Sequence, residues 1–338
     1  MNTKLEILKY VEKYTDILDE IGNIKDRVLI EDSSKNLFNK INNKLNSRKA
    51  RLKKPKFEVA IIGLEKAGKS TFANALLKDD YLPQAPNRCT YTTTTIESSK
   101  ENNRATISFY TKNEFLESFQ ATCKDIELQN IDFETITLDS FEKILQEKSS
   151  LFQNSNNADD IRAIIKNRDD IKKYLDKSDE IIESNIKNSI KPFIVDEKIA
   201  RAVKNINILS NEFKDFDDMV LYDVPGFDSP TKFHMEQAKK YLLRADVVIL
   251  LVSIADNVSF TKMLADYIKD VKDEDGTTLK RKLIIGATKF DFHIHGNKDE
   301  DLKGIEERKE LLIKECKKFD IYKEDNFFLT SPLSYLEG

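Results

Sequence analysis

An apolar segment that runs into a glycine-containing loop constrains the fold of this 338-residue chain more than any other feature. Residues 57–62 read Phe-Glu-Val-Ala-Ile-Ile and are typical of a buried strand. Residues 63–70 read Gly-Leu-Glu-Lys-Ala-Gly-Lys-Ser and match the pattern G-x-x-x-x-G-K-[ST], and residues 71–77 continue as a helix-forming segment. A strand, this loop and a helix in that order indicate a phosphate-binding loop.

The residue types in the loop suit a nucleoside triphosphate bound with Mg²⁺. Glycine lets the backbone curl, so that successive N–H groups and the positive end of the following helix face phosphate oxygens. We expect Lys69 to contact the β- and γ-phosphates and the Ser70 hydroxyl to bind Mg²⁺. The other residues predicted to surround the phosphates are Gly63, Glu65, Lys66, Ala67, Gly68 and Thr71.

A second apolar segment ends in a carboxylate that can complete the Mg²⁺ site. Residues 219–222 predict a strand, and Asp223 begins the run Asp-Val-Pro-Gly that follows it. Asp223 can hold Mg²⁺, and the N–H group of Gly226 can contact the γ-phosphate. The run Asp-x-x-Gly indicates a nucleotide site here because it follows a phosphate-binding loop.

A third apolar segment leads into the run Thr288-Lys289-Phe290-Asp291, which is predicted to recognise the base. Asp291 can accept hydrogen bonds from N1–H and N2–H₂ of guanine, and Lys289 would lie along the base. Adenine has neither donor, and an unpaired buried carboxylate costs about 1–3 kcal/mol or more, which favours GTP over ATP. An ATPase with a similar loop is the alternative. Ser331 is also predicted to contact the base.

Threonines between the loop and the Asp223 strand predict a switch segment. Residues 87–95 read Asn-Arg-Cys-Thr-Tyr-Thr-Thr-Thr-Thr. Thr90 is predicted to bind Mg²⁺ and to respond to the γ-phosphate. Thr94 and Thr95 are assigned to a β-strand instead, because β-branched residues are frequent in strands.

The alternation of apolar and helical segments predicts an α/β fold, a three-layer P-loop sheet with mostly parallel strands. The predicted strands are 57–62, 105–110, 219–222, 246–252, 282–286 and 327–330, and the predicted helices are 232–243, 259–271 and 303–318. Residues 112–200 are rich in charged residues, with apolar residues at helical spacing. They predict a helical insertion within one nucleotide-binding domain of residues 55–338.

Two helices are predicted in an N-terminal segment, residues 1–54. The second helix is predicted to begin at a cap formed by Ser33 or Ser34. The basic run 48–54 is interpreted as a solvated linker, with phosphate or lipid-headgroup contact as the alternative. The first helix, over residues 4–30, repeats apolar side chains at steps of three and four, at Ile7, Val11, Tyr14, Leu18, Ile21 and Val28.

Charge and cysteine content exclude several classes of protein. Lys+Arg number 55 and Asp+Glu 59, and the net charge of −4 argues against a nucleic-acid binder. Three widely separated cysteines indicate reduced thiols in a reducing compartment. The longest strongly apolar run, 245–255, is shorter than the roughly 20 residues of a membrane-spanning helix. We expect a cytoplasmic protein, with peripheral membrane association at most.

With these motifs in order, the chain resembles the dynamin superfamily of large GTPases and is most similar to bacterial dynamin-like proteins. The resemblance rests on residues 63–71, Thr90, 223–226 and 288–291, and the N-terminal helices resemble the start of that family's neck bundle. It implies GTP hydrolysis stimulated by dimerisation of the GTPase domains, often coupled to membrane remodelling. We therefore expect Mg²⁺ as cofactor, GTP and GDP as ligands, and a homodimer through the GTPase domain.

One departure from common patterns affects the expected mechanism. Phe227 follows Gly226, where many small GTPases have a water-orienting glutamine, and phenylalanine cannot orient water. Dynamins also lack that glutamine and use the loop residues that are Glu65 and Lys66 here. Lys66 lies where guanylate-binding proteins place an arginine finger. We hypothesise that Lys66 supplies positive charge to the β–γ bridging oxygen or replaces the monovalent cation of dynamins; a surface lysine without a role is the alternative.

The end of the sequence leaves the apolar stripe of the first helix without an assigned partner. Family members continue from the last strand into neck and stalk helices, whereas this sequence ends at Gly338. Docking on a separate stalk or dynamin-like partner subunit, self-association and a longer natural chain remain open as explanations. Membrane contact is expected to be indirect, because the helix over residues 4–30 lacks the strongly basic polar face of surface-binding helices.

A GTP-controlled assembly module is the competing interpretation. Such a protein would hydrolyse GTP slowly and use its helices to recruit a partner in a defence or secretion system. Phe227 and the missing stalk favour this interpretation, whereas the intact Lys69 and Ser70 keep hydrolysis possible.

Overall fold

The computed structural model describes residues 2–25, 32–64, 66–82, 92–148, 150–153, 155–224, 232–255, 264, 267–269, 271–272, 276–294 and 298–332. These residues form a nine-stranded sheet with helices on both faces, a helical insertion and an N-terminal helical hairpin. No helix in these ranges combines the length and the apolar character needed to cross a bilayer.

The sheet is mixed, with parallel pairing through its centre. Its strands in chain order are β1 (Phe57–Gly63), β2 (Thr93–Ser98), β3 (Arg104–Phe109), β4 (Glu180–Ile182), β5 (Val203–Ser210), β6 (Met219–Asp223), β7 (Val247–Ser253), β8 (Leu283–Thr288) and β9 (Phe327–Thr330). Their spatial order is β4-β3-β5-β2-β6-β1-β7-β8-β9. Strands β6, β1, β7, β8 and β9 pair in parallel, whereas β2 is antiparallel to β6. The predicted α/β fold with a mostly parallel sheet is confirmed.

The helices cover both faces of this sheet. In chain order they are α1 (Asn2–Lys25), α2 (Asp32–Lys53), α3 (Lys69–Leu77), α4 (Lys112–Asp125), α5 (Leu138–Gln146), α6 (Ser150–Gln153), α7 (Asn156–Lys166), α8 (Arg168–Lys172), α9 (Ile186–Val195), α10 (Lys232–Arg244) and α11 (Lys298–Lys318). On one face, Leu77 of α3 and Ile190 of α9 pack on the sheet, and on the other Leu242 of α10 and Leu312 of α11 do so. The result is three layers, because strands buried on both faces need helices on both sides.

Strand β1 lies inside the sheet, between β6 and β7, and carries the loop that follows it. Its residues from Glu58 to Gly63 are buried, as the apolar run predicts. In the parallel registers Ile61 lies opposite Asp223 of β6, and Gly63 lies opposite Leu251 of β7. The carboxyl ends of β1, β6, β7 and β8 therefore meet at one edge of the sheet, which is where open α/β sheets bind ligands.

The region of residues 112–200 forms α4 to α9 and has apolar packing of its own. Phe119, Phe133 and Phe141 are almost fully buried in a cluster built by α4, α5, α7 and α8. Phe119 and Phe133 meet edge to face, with ring centroids 5.5 Å apart. Helix α4 begins at a capping box in which Thr111 and Glu114 satisfy each other's backbone N–H groups.

Two strands at the same side of the sheet were not predicted from the sequence. Strand β4 lies inside the predicted helical insertion, where it pairs with β3 in antiparallel orientation. Strand β5 joins β2 to β3. Its sequence signal was present, because Asn205-Ile206-Asn207-Ile208 alternates polar and apolar residues as a half-buried strand does.

The N-terminal helices pack against each other as a hairpin, in which Leu8, Val11, Thr15 and Leu18 of α1 are wholly or partly buried.

The predicted cap of α2 is wrong. Helix α2 already includes Asp32, so Ser33 and Ser34 lie within its first turn.

The basic run 48–54 is not the solvated linker that we predicted. Helix α2 continues through it to Lys53. Arg51 donates to Asp246 Oδ1 at 3.4 Å, and Lys54 pairs with Glu58 at 3.2 Å. The basic side chains therefore anchor the end of α2 on the amino-terminal edge of the sheet. The pattern of charges could not reveal the Arg51 contact, because its carboxylate partner Asp246 is distant in sequence.

Candidate nucleotide-binding site

The loop between β1 and α3 has the backbone that a phosphate-binding loop requires. A Cβ atom on Gly63 would lie 2.4 Å from the Leu251 carbonyl oxygen of β7, so only glycine allows β1 and β7 this close together. Gly68 has φ 85° and precedes α3, and no side chain caps that helix. The first N–H groups of α3 therefore point toward the loop without a side-chain acceptor, which is the arrangement that binds anions.

Lys69 is folded over the loop that it follows. Its Nζ atom donates to the carbonyl oxygens of Gly63 at 3.1 Å and Leu64 at 3.0 Å, and the side chain is almost fully buried. These bonds place a positive charge within the loop, at the amino end of α3. A buried cation attracts phosphate oxygens more strongly than an exposed one, because little solvent screens it.

Asp223 is the most unusual ionisable group near the loop. It is 1% exposed, it accepts a hydrogen bond from the Ser70 hydroxyl on Oδ2 at 3.3 Å, and its Oδ1 atom has no partner among the described residues. Burial raises the pKa of the Asp223 carboxyl to about 6, although the charge of Lys69 and the Ser70 hydrogen bond act to lower it. A buried carboxylate oxygen without a partner, beside a hydroxyl, fits a divalent metal that prefers oxygen ligands.

We expect Asp223→Asn to remove a pH-dependent cost of folding. The raised pKa means that the folded protein gains stability as the pH falls through about 6 and loses that contribution as the pH rises. The neutral, isosteric asparagine has no such titration, so its stability advantage over the parent should grow by about 1–2 kcal/mol between pH 5 and pH 8. Urea unfolding in EDTA without nucleotide measures it. A difference between the two proteins that is independent of pH would contradict the assignment.

The predicted base-recognition residues begin at Thr288, the last residue of β8, which is tied to the phosphate loop. The Thr288 hydroxyl donates to the Ala67 carbonyl oxygen at 2.8 Å, so it joins two segments that are far apart in sequence. Lys289 adopts a left-handed conformation with φ 61°, and a 3₁₀ turn, Phe290–His293, then presents a half-buried Asp291. Ser331 lies close by in register, because Thr330 of β9 is paired with Thr288.

Several predicted site residues remain predictions. Glu65, Thr90 and Gly226 lie outside the described residues, as does Phe227. Thr71 lies in the first turn of α3, and Lys66 is exposed in the loop with φ 61°. Thr94 and Thr95 belong to β2, as predicted.

Asn74 was not predicted from the sequence to take part in shaping this site. This residue of α3 is fully buried; its amide donates to Asp80 and to the Leu82 carbonyl oxygen, both at 2.7 Å, and its Oδ1 atom accepts from the Leu82 N–H group at 2.8 Å. It therefore fixes the chain that leads toward the predicted switch segment. The available signal was an asparagine within an otherwise apolar helical run, where its low helix propensity needs a reason.

Comparison with known proteins agrees with this geometry. The Dynamin family matches residues 59–287. Dynamin-like protein A of Bacillus subtilis (strain 168) is 28% identical over 203 residues, which are 59% of this chain and 16% of that protein. This chain therefore spans a small part of that relative.

Two solved structures of an oligomerised bacterial dynamin pair share the fold. That pair is reported to provide a mechanism for the long-range sensing and tethering of membranes. Their TM-scores are 0.51 and 0.50 at 19% and 20% identity, and they match 98% and 99% of this chain but 39% and 38% of their own. The family match covers well over half of the sequence and confirms the resemblance that the motifs indicated. The chain therefore belongs to the dynamin family, whose P-loop GTPase fold its nine-stranded sheet adopts.

Proposed function

We propose that this chain binds GTP together with Mg²⁺ and hydrolyses it to GDP and phosphate. The observation that carries the proposal is the cluster of Lys69, Ser70 and Asp223 at the carboxyl edge of the sheet. It combines a buried cation, a hydroxyl and a desolvated carboxylate. One oxygen of that carboxylate has no partner among the described residues. Each of these groups gains an interaction when a metal-bound triphosphate enters.

The residues of the cluster suit distinct tasks. Ser70 and Asp223 would hold Mg²⁺, with Thr90 of the predicted switch segment as a further ligand. The metal, when bound, neutralises charge on the phosphate oxygens. Lys69 orients the β- and γ-phosphates, and the N–H groups of residues 66–70 donate hydrogen bonds to the phosphate oxygens. Guanine is proposed to be selected by Asp291, Lys289 and Ser331.

Lys66 is proposed to supply the charge that accelerates hydrolysis, since Phe227 cannot orient the attacking water. Arginine fingers supplied from elsewhere contribute about 10³-fold or more in other GTPases, and we expect Lys66→Ala to lower turnover at least about tenfold. Its affinity for GTP should change less than turnover does, because a finger acts mainly in the transition state. Single-turnover hydrolysis and GTP titration measure the two effects.

Lys78→Ala is a matched control for that experiment. Lys78 is also a lysine of positive φ, at the opposite end of α3, where it pairs with Asp215. Its removal changes the net charge equally and should leave turnover unchanged. Wild-type turnover and affinity in Lys66→Ala would show that Lys66 has no catalytic part.

We also propose that the chain takes part in assembly and in membrane association. We propose that residues 55–338 act as the GTPase domain, that pairs of these domains stimulate hydrolysis, and that residues 1–54 connect the domain to a stalk or partner subunit. The related solved structures are of an oligomerised dynamin pair described as a mechanism for sensing and tethering membranes, which supports peripheral membrane association, and a cytoplasmic location is part of the proposal.

A slow GTP-controlled assembly module in a defence or secretion system is the second candidate. Phe227 favours it. Hydrolysis measured against protein concentration separates the two candidates. Turnover that rises steeply with concentration supports a dimerisation-activated GTPase, whereas turnover on the order of 10⁻⁴ s⁻¹ at every concentration supports the assembly module. No hydrolysis and no GTP binding would contradict both.

A further inference from the structure

Phe292 exposes its aromatic ring beside the predicted base-recognition residues. Its side chain is 59% exposed, although phenylalanine is usually buried. The Nζ atom of Lys289 lies over the ring, 5.8 Å from its centroid. This distance is within the range of a cation–π interaction, in which the negative face of a ring attracts an ammonium group.

The turn that carries Phe292 is anchored to the sheet without this ring. Phe290, at the start of the turn, packs against the apolar core. The Nε2 atom of His293 lies 3.0 Å from the carbonyl oxygen of Ile254, a fully buried residue that follows β7. The turn therefore owes little of its stability to the exposed ring, and the contact of Phe292 with Lys289 needs another explanation.

Lys289 gains from being held in place before a nucleotide enters. It is half-buried and has φ 61°, a left-handed conformation that few residues other than glycine adopt. A lysine side chain loses much rotamer freedom when it is fixed along a ligand. If the side chain is already fixed in the free protein, that loss does not reduce the affinity on binding.

We propose that Phe292 is a positioning residue for the nucleotide base. Its ring holds the ammonium group of Lys289, so that the stem of the lysine is ready to lie along the purine. This inference rests on the proposed function, in which Lys289 contacts the base and Asp291 recognises its edge.

The role of Phe292 differs from that of Asp291 in what it discriminates. The flat face of the purine is common to guanine and hypoxanthine, whereas their edges differ in the amino group at C2. Loss of the ring should therefore weaken GTP and ITP by the same factor and leave the preference for GTP unchanged. Inorganic tripolyphosphate has no base, and its binding should not change.

Apolar contact with a second copy of the chain is the competing use of the exposed ring. Ile294 lies two positions further on and is 54% exposed. A contact driven by apolar area would use Phe292 and Ile294 alike. Only Phe292 has a ring that can hold an ammonium group, and the position of Lys289 over that ring favours the positioning role.

Calorimetric titration in Mg²⁺, at low protein concentration, tests the proposal. Phe292→Leu keeps an apolar side chain and removes the ring, so it should weaken GTP and ITP about fivefold each and leave tripolyphosphate affinity unchanged. Phe292→Tyr keeps the ring and should bind GTP as the wild type does. Ile294→Ala is the matched control from the same turn and should also leave GTP affinity unchanged.

Two further measurements test whether Phe292 acts through Lys289. In a Lys289→Met background, Phe292→Leu should cause no additional loss of GTP affinity, because the ring then has no ammonium group to hold. In the NMR spectrum of the nucleotide-free protein, the ε-methylene protons of Lys289 should show an upfield ring-current shift that Phe292→Leu abolishes.

Several outcomes would overturn the proposal. These are wild-type GTP affinity in Phe292→Leu, an equal loss for tripolyphosphate, and an additional loss in the double variant. If Phe292→Leu and Ile294→Ala both lowered concentration-dependent turnover without changing GTP affinity, the ring would belong to a contact between copies. If the wild type showed the ring-current shift but bound no GTP, the proposed function would fail, and this inference would fail with it.

Discussion

Lys69→Met is expected to weaken GTP binding by about 100-fold or more and to reduce hydrolysis below detection. The Nζ atom of Lys69 is held by the carbonyl oxygens of Gly63 and Leu64, so its charge is already positioned before a ligand enters. Methionine keeps the length of the side chain and removes the charge. The triphosphate would then lose a buried ionic partner, and the desolvated Asp223 carboxylate would lose its nearest compensating cation. Calorimetric titration with GTP and Mg²⁺ measures the affinity.

Lys282→Met separates this effect from loss of stability. Lys282 is as buried as Lys69, and it also donates to two backbone carbonyl oxygens, those of Leu243 and Ala245. It precedes β8, however, and so lies at the amino-terminal edge of the sheet, opposite the loop. Its replacement should lower the melting temperature and leave GTP affinity unchanged. Equal loss of affinity in both variants, or wild-type affinity in Lys69→Met, would contradict the proposed phosphate site.

Asp291→Asn is expected to transfer specificity from guanine to xanthine nucleotides. A carboxylate accepts hydrogen bonds from N1–H and N2–H₂ of guanine, whereas an asparagine amide can donate to the carbonyl oxygen that xanthine carries at C2. Sites built to hydrogen-bond a substrate group reject analogues that lack it by large factors. We expect a loss of about 100-fold or more in GTP affinity and a comparable gain for XTP. Competition of GTP, XTP and ATP against a labelled nucleotide measures the preference.

Asp299→Asn is the control for that change. Asp299 is an exposed aspartate in the first turn of α11, eight positions beyond Asp291 in the sequence. The substitution has the same chemistry and should leave the order GTP over XTP and ATP intact. If Asp291→Asn kept the preference of the parent, another residue would select the base. If ATP displaced the labelled nucleotide from the unsubstituted protein as well as GTP does, the ATPase alternative would be correct.

Local sequence patterns predicted the strands, the loop and the helix whose conformation depends on neighbouring residues. The run from Phe57 to Ile62 is apolar at every position but one, and the glycines at 63 and 68 are required by close packing and by a positive φ, so strand, loop and helix could be predicted together. The strands that end at Asp223 and Thr288 were predicted for the same reason. The nucleotide contacts of Thr90 and Gly226 stay predictions.

Patterns that depend on distant partners were missed or misassigned. Residues 48–54 have the composition of a solvated run, but Arg51 meets Asp246, a carboxylate at the start of β7. The first-helix stripe was treated as one face, whereas α1 has two: Val11 and Leu18 pack toward α2, and Tyr14 and Ile21 remain exposed. A single periodicity cannot distinguish these faces, because both repeat every three or four residues.

The sequence by itself determined that this chain builds a phosphate-binding loop on a buried strand, since glycine conformation and apolar burial are properties of neighbouring residues. Only the tertiary structure decided that β2 enters the sheet antiparallel to β6, that Thr288 is tied to Ala67, and that Asp223 is desolvated beside Ser70. Strand order and burial depend on which surfaces meet after the chain has folded. The raised pKa of Asp223, which is proposed to hold Mg²⁺, arises from that burial.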